Sequence, residues 1–207
     1  MESIRRPGPR DERGPGPLIV GLGGTARASS SSERVLKLVL DAAGRHGART
    51  RLFGGRDLDL PMYNPESEAR DPRAVALVDA LRDCDAVVVA SPGYHGAVSG
   101  LVKNALDYVE DLRSDERTYL DQRAFGCVSC AYGWQAAVAT LTQLRTIGHA
   151  LRAWPTPLGL AVNSAELVWD AQGLPADGAL TAQIDTLAEQ LLSRHPQPGE
   201  PAAAAAR

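Results

Sequence analysis

Two short stretches carry residue types and spacings that could do chemistry. The first is Gly23 to Ser32, "GGTARASSSS". It joins the full charge of Arg27 to the hydroxyls of Thr25, Ser30, Ser31 and Ser32. The stretch runs directly into Val35, Leu36, Val39 and Leu40, the spacing of one apolar helix face. A helix start offers backbone N–H groups that have no intrahelical partner. A guanidinium, hydroxyls and a helix N-terminus together suit a phosphate monoester. Ser31 or Ser32 is expected to cap the helix as well, but a cap uses a single hydroxyl. The second stretch is Pro92-Gly93-Tyr94-His95-Gly96, directly after the apolar run "AVVVAS". Pro92 is expected to end the strand. Gly93 is expected at positive φ, and Gly93 and Gly96 would let backbone N–H groups approach the edge of a flat ring. Tyr94 and His95 could pack on that ring or donate to it, and are the residues here that could tune a cofactor or protonate a product.

The elements that must position these stretches alternate strand and helix. Strands are expected near 18–22, 49–53, 86–91, 123–130 and 156–163. Helices are expected from about Ser32, from Pro72, from Ser99 to about 112, from Trp134 to Ala150, and from Gly178 to Ser193. "AVVVAS" is apolar on both faces, as a central parallel strand should be. Five such β-α repeats give an α/β fold with a doubly wound five-stranded parallel sheet in a single domain, residues 18–193. A ligand then belongs beyond the carboxyl ends of the first, third and fourth strands. The long segment 54–71 reads as a loop, with Gly55 expected to be remote from the phosphate. Residues 1–17 and 194–207, rich in Arg, Gly, Pro and Ala, are expected to be disordered tails.

Composition narrows the function. The chain has 207 residues and a net charge of −3, which argues against a nucleic-acid or membrane-surface binder. No apolar run approaches a membrane span, the N-terminus lacks the apolar core of a signal peptide, and three cysteines make no disulfide framework. A reduced, cytoplasmic protein is the expectation. Cys127 and Cys130 would point to opposite faces of a strand, so a redox or metal role is not expected of them. The histidines show no ligand spacing. Gly21, Gly23 and Ala26 fit a dinucleotide-binding turn loosely, but the acidic residue expected after the second strand is absent from "RLFGGR".

The two stretches, extended to "SPGYHGAVSGLVKNALDYVEDL", resemble the NADPH-dependent FMN reductase family over about residues 18–192. The phosphate loop matches through Gly24, Thr25, Arg27 and Ser30. The ring loop matches through Pro92, Tyr94, Gly96, Gly100, Lys103, Asn104, Ala105, Leu106 and Asp107. The resemblance implies a flavodoxin-like fold, FMN as cofactor and NADPH or NADH as hydride donor. Hydride transfer to the flavin needs no nucleophile or general base, and no catalytic triad is visible. A third flavin loop would be Ser129 to Gln135, with Ser129, Ala131, Tyr132 and Gly133 toward the flavin, although the usual extra glycine is missing. Gly93 stands where many relatives carry Glu, and His95 where many carry Asn. These departures bear on nicotinamide or acceptor contacts. The expected partner is a flavin-dependent monooxygenase receiving reduced FMN, or alternatively a small quinone- or azo-type acceptor reduced directly. A flavodoxin-type electron carrier fits less well, given Arg27 and the modest charge. A homodimer or homotetramer is implied. The apolar positions of the helix at 99–112 could supply one side of an interface, or equally pack on their own sheet.

Overall fold

A computed structural model describes residues 16–27 and 29–193. The expected tails lie outside these residues, apart from Gly16 and Pro17. Pro17 is fixed, because its carbonyl accepts the Arg49 N–H at 2.8 Å.

The strands are β1 (Leu18–Gly23), β2 (Arg49–Phe53), β3 (Ala86–Tyr94), β4 (Ala97–Val98), β5 (Ala124–Ala131), β6 (Trp154–Pro155) and β7 (Leu160–Asn163). The helices are α1 (Ser31–Arg45), α2 (Pro72–Asp83), α3 (Gly100–Asp107), α4 (Trp134–Ala150) and α5 (Gly178–Leu192). The parallel order is β2-β1-β3-β5, with β6 and β7 both paired to the far side of β5. Of the fifth strand expected at 156–163 only Leu160–Asn163 is strand, and a separate two-residue piece precedes it at Trp154–Pro155. The strand order reverses between β1 and β3, and the crevice at that switch point receives the loops that follow both strands.

Each face of the sheet is covered by helices because β3 and β5 are apolar on both faces. Val35, Leu36 and Val39 of α1 and Ile184, Leu187 and Leu191 of α5 cover one face with Val88 and Val128. Leu77 and Leu81 of α2, Val102 and Leu106 of α3, and Leu144 of α4 cover the other with Val87 and Val89. Each fully buried aliphatic side chain contributes about 1.5–3 kcal/mol. The apolar face of α3 is therefore spent on its own sheet, not on a neighbouring subunit. That helix also ends earlier than expected, giving way to a 3-10 turn at Tyr108–Leu112.

Cys127 and Cys130 fall in opposite core layers, as strand alternation requires. Burial pushes both thiols, and that of Cys84, up to about 12. At the amino end of the sheet the buried Arg123 guanidinium donates to the carbonyls of Arg82, Cys84, Tyr119 and Asp121. Segment 54–71 is held down by polar groups that the helical motif supplies. Asn104 accepts from the Tyr63 N–H at 2.9 Å and donates to the Leu60 and Pro61 carbonyls. Tyr108 also donates to Pro61, and Arg70 forms a bidentate pair with Asp111.

Candidate active site

The end of β1 turns so tightly that side chains are excluded. Gly23 and Gly24 sit at φ 148° and 99°, and a Cβ on Gly23 would lie 2.0 Å from the Ala90 carbonyl oxygen. Gly24 N–H in turn donates to that oxygen at 3.1 Å. These glycines serve the approach of β1 to β3, and Gly21 serves the packing of Leu40. The dinucleotide-like spacing thus has a packing explanation.

Thr25 shapes the loop that follows: its hydroxyl donates to the Arg27 carbonyl and accepts the Arg27 N–H, both at 3.1 Å. The cap of α1 is Ser30, not Ser31 or Ser32: its hydroxyl accepts the Glu33 N–H at 3.3 Å and pairs with the Ser32 hydroxyl. Capping by Ser30 leaves Ser31 and Ser32 inside the first turn, where their own N–H groups face out of the helix. The Arg27 side chain is exposed and enters no ion pair among the described residues. Gly55 is not remote from this loop. A Cβ there would lie 1.9 Å from the Thr25 carbonyl oxygen, so segment 54–55 buttresses it.

The second loop differs from the expectation in one respect. β3 does not stop at Pro92 but continues to Tyr94 and turns back into β4, with Gly93 opposite Val98 and Tyr94 opposite Ala97. The two turn residues, His95 and Gly96, have φ of 54° and 78°, the geometry of a tight two-residue hairpin. Positive φ thus falls on His95 and Gly96, not on Gly93. Gly93 is required for a different reason: a Cβ would lie 2.8 Å from both Ala131 Cβ and Thr140 Oγ1. β1 has ended at Gly23, so no ladder on that side calls for an N–H from Pro92. Gln143 of α4 clamps the hairpin, donating to the Gly96 carbonyl at 2.8 Å and accepting the Val98 N–H. Nothing in the linear pattern pointed to Gln143.

The structure brings the loops together. A cleft of about 270 Å³ is lined by Thr25, Arg27 and Ser30–Ser32 from the first loop, and by Pro92, Gly93 and Tyr94 from the second. Cys130, Ala131, Tyr132 and Ser164 complete it. His95, Gly96 and Gly133 line instead an adjoining hollow of about 480 Å³, reached past Tyr132, which lines both. Together these hollows reach the size usual for ligand sites, about 300–1,000 Å³. Ser129 is the one expected residue that lines neither hollow. β5 runs on to Ala131 between β3 and β7, so Ser129 lies within the ladder and is fully buried. Its place at the rim is taken by Cys130 and by Ser164, which follows β7 and donates its N–H to the Ala131 carbonyl at 2.8 Å. The Gly133 N–H is already committed, to Asn163 Oδ1 at 2.9 Å and the Ala131 carbonyl. Asn163, absent from the expected set, therefore fixes the third loop. Among the described residues Arg27 is the only charged one lining the cleft, and Tyr94 of the second loop and Tyr132 of the third are 55% and 87% exposed. The site is cationic at one end and aromatic and open at the other.

Comparison with known proteins decides the family. The NADPH-dependent FMN reductase family model matches residues 17–166. The chain belongs to this family. Among relatives of this reductase, an NADPH azoreductase of Bacillus sp. (strain OY1-2) is 30% identical over 165 residues, covering 77% of this chain and 86% of that one. The NADPH-dependent FMN reductase ArsH of Acidithiobacillus ferrooxidans is 29% identical over 177 residues, covering 85% and 72%. The fold matches FerB, a flavoenzyme NAD(P)H:(acceptor) oxidoreductase of Paracoccus denitrificans, with a TM-score of 0.70 at 18% identity, covering 86% and 98%. It also matches the NADH:FMN oxidoreductase EMOB, with a TM-score of 0.64 at 20% identity, covering 88% and 97%. This reductase is accordingly an enzyme, an FMN-dependent oxidoreductase using NAD(P)H. No described helix is long and apolar enough to cross a membrane, and no described cluster of His, Cys, Asp or Glu could hold a metal.

Proposed function

We propose that the cleft binds FMN with its phosphate at Thr25, Arg27 and Ser30–Ser32 and its ring against Pro92, Gly93, Tyr94 and Ala131–Tyr132. The single observation that carries this assignment is the convergence of a cationic, hydroxyl-rich helix start and a side-chain-free strand edge on one cleft. When bound, FMN supplies the centre that accepts hydride from NAD(P)H and passes electrons on. The chain's own part is to hold and orient. The first turn of α1 and Arg27 neutralise the phosphate. Gly93 keeps the ring wall flat, and the exposed Tyr94 and Tyr132 leave one face open for donor and acceptor. His95, at the hairpin tip, faces the adjoining hollow and so belongs to the donor or acceptor side.

The product reading is reduced FMN delivered to a flavin-dependent monooxygenase. The azoreductase relative favours a second reading, direct reduction of a small organic acceptor such as an azo compound or quinone. A cytoplasmic location is part of the same proposal. A homodimer or homotetramer is part of the proposal; Tyr94 and Tyr132, which line the cleft, and Trp134 and Val138, in the first turns of α4, are exposed large side chains that a partner could cover. The test is anaerobic addition of NADPH to the FMN-loaded protein, with and without an azo dye. Bleaching of the flavin followed by stoichiometric reoxidation by the dye supports direct acceptor reduction. Bleaching with release of reduced FMN through a filter supports delivery. No bleaching with either nicotinamide would refute both.

A further inference from the structure

A second cavity, of about 310 Å³, lies on the other side of the Asn163–Ser164 wall, between β7 and the start of α5. Its apolar lining is Val162, Leu167 and Leu180, and the exposed Val168 and Trp134 stand at its rim. Among the described residues its charged lining is Glu166 and Asp177, with no Lys, Arg or His. Glu166 is held in place through one oxygen alone. Its Oε1 accepts from Trp134 Nε1 at 3.1 Å and from Asn163 Nδ2 at 2.6 Å. Its Oε2 takes no bond from the described residues. A carboxylate fixed at one oxygen, with the second available beside an indole and an aliphatic floor, is complementary to a positive charge on an apolar body.

We propose that this cavity is a binding site for an organic ammonium ion, a small alkyl- or arylalkylamine, with Glu166 as counter-ion and Trp134 as apolar wall. The charge preference is opposite to that of the neighbouring cleft, which among the described residues is lined by Arg27 and no carboxylate. The two sites are mechanically joined. Asn163 donates to Glu166 and at the same time accepts the Gly133 N–H, and Trp134 is the first residue of α4. An amine that draws Glu166 toward itself therefore pulls on the 131–134 segment from behind.

The experiment is calorimetric titration of the full-length, FMN-loaded protein with three probes of one shape: phenethylammonium, 2-phenylethanol and phenylacetate. The expected result is saturable binding of phenethylammonium, about fivefold or more tighter than 2-phenylethanol, and no binding of phenylacetate; the factor reflects a partly exposed ion pair with a cation–π contribution. Glu166→Gln should erase the preference for the ammonium while 2-phenylethanol binds as before. Ala179→Phe, at an exposed position in the first turn of α5, fills the cavity and should abolish binding of both. Should Glu166→Gln fail to fold, the Ala179→Phe comparison and the ranking of the three probes decide alone. Equal affinity for the three probes, unaltered binding in Ala179→Phe, or no binding of the ammonium because the cavity is filled by another copy of the chain would overturn the proposal.

Discussion

Gly93 offers the sharpest test of how the ring wall is built. Replacing it with Ala places a methyl 2.8 Å from Ala131 Cβ, 2.8 Å from Thr140 Oγ1 and 3.2 Å from the Ala136 carbonyl oxygen. Ordinary contact needs roughly 3.5–4.0 Å, so β3, the end of β5 and the first turns of α4 must separate. Overpacking of this kind costs about 1–3 kcal/mol. The same displacement moves Pro92 and Ala131, which line the cleft, and FMN affinity should fall about tenfold, equivalent to about 1.4 kcal/mol. Thr140 provides an internal control. Its hydroxyl is fully buried and has no hydrogen-bond partner. Thr140→Ala alone should therefore cost no more than about 1 kcal/mol, because the lost packing is offset by removal of an unsatisfied hydroxyl. In the double variant one of the two closest contacts is gone. The combined destabilisation should fall short of the sum by about 1 kcal/mol, and part of the FMN affinity should return. Urea denaturation at constant slope and flavin fluorescence titration measure the two effects. Strict additivity, within about 0.3 kcal/mol, would show that the contact between residues 93 and 140 does not limit the wall.

Three further outcomes are expected. Arg27→Ala removes a charge-assisted contact worth about 1.5–3 kcal/mol, so FMN affinity should drop roughly ten- to a hundredfold while riboflavin binding, read in the same titration, stays within about twofold; equal losses would make Arg27 structural. Asn104→Ala leaves the Tyr63 N–H and the Leu60 and Pro61 carbonyls without their partner, so hydrogen exchange of residues 60–63 should rise ahead of the core and stability should fall by about 1–3 kcal/mol; unchanged exchange there would refute the latch. The three thiols are raised from 9.0 to about 12 on folding, so the unfolded chain loses those protons first. Their contribution is complete below pH 9 and is lost as pH rises from 9 toward 12, by up to about 1.4 kcal/mol per thiol per pH unit; urea midpoints that decline no faster than in a variant with all three cysteines changed to Ala would contradict this.

Much of the molecule was legible because its signals are local. "AVVVAS" could only be a doubly covered strand, and Val35, Leu36, Val39 and Leu40 could only face a sheet. The hydroxyls and Arg27 marked the proposed phosphate end for the same reason, since one loop holds them all. The ring end depended on relations between distant segments. Pro92 reads as a strand break, and only the early end of β1 lets it stay in the strand. Gly93 reads as a turn glycine, and only Thr140 and Ala131 show that the requirement is space rather than φ. Ser129 was misplaced because nothing local reveals that β5 is paired on both sides up to Ala131. Asn163, Ser164 and Gln143 act on backbone groups thirty or more positions away, a distance at which no periodicity speaks. Gly55 is the same case, abutting Thr25 across two strands.

The split strand at the margin of the sheet bears on how the protein behaves in crowded solution. An edge strand offers unpaired backbone groups to any extended chain, and long uninterrupted edges nucleate aggregation. Here the margin is cut into Trp154–Pro155 and Leu160–Asn163. The intervening backbone is turned inward: Arg145 donates to the Thr156 and Pro157 carbonyls, and Gln190 accepts the Leu158 N–H. Pro155 and Pro157 withhold two further donors. A foreign strand finds at most four consecutive residues to zip onto. The opposite margin, β2, carries the cations Arg49 and Arg51, so a second copy approaching it edge to edge meets like charge.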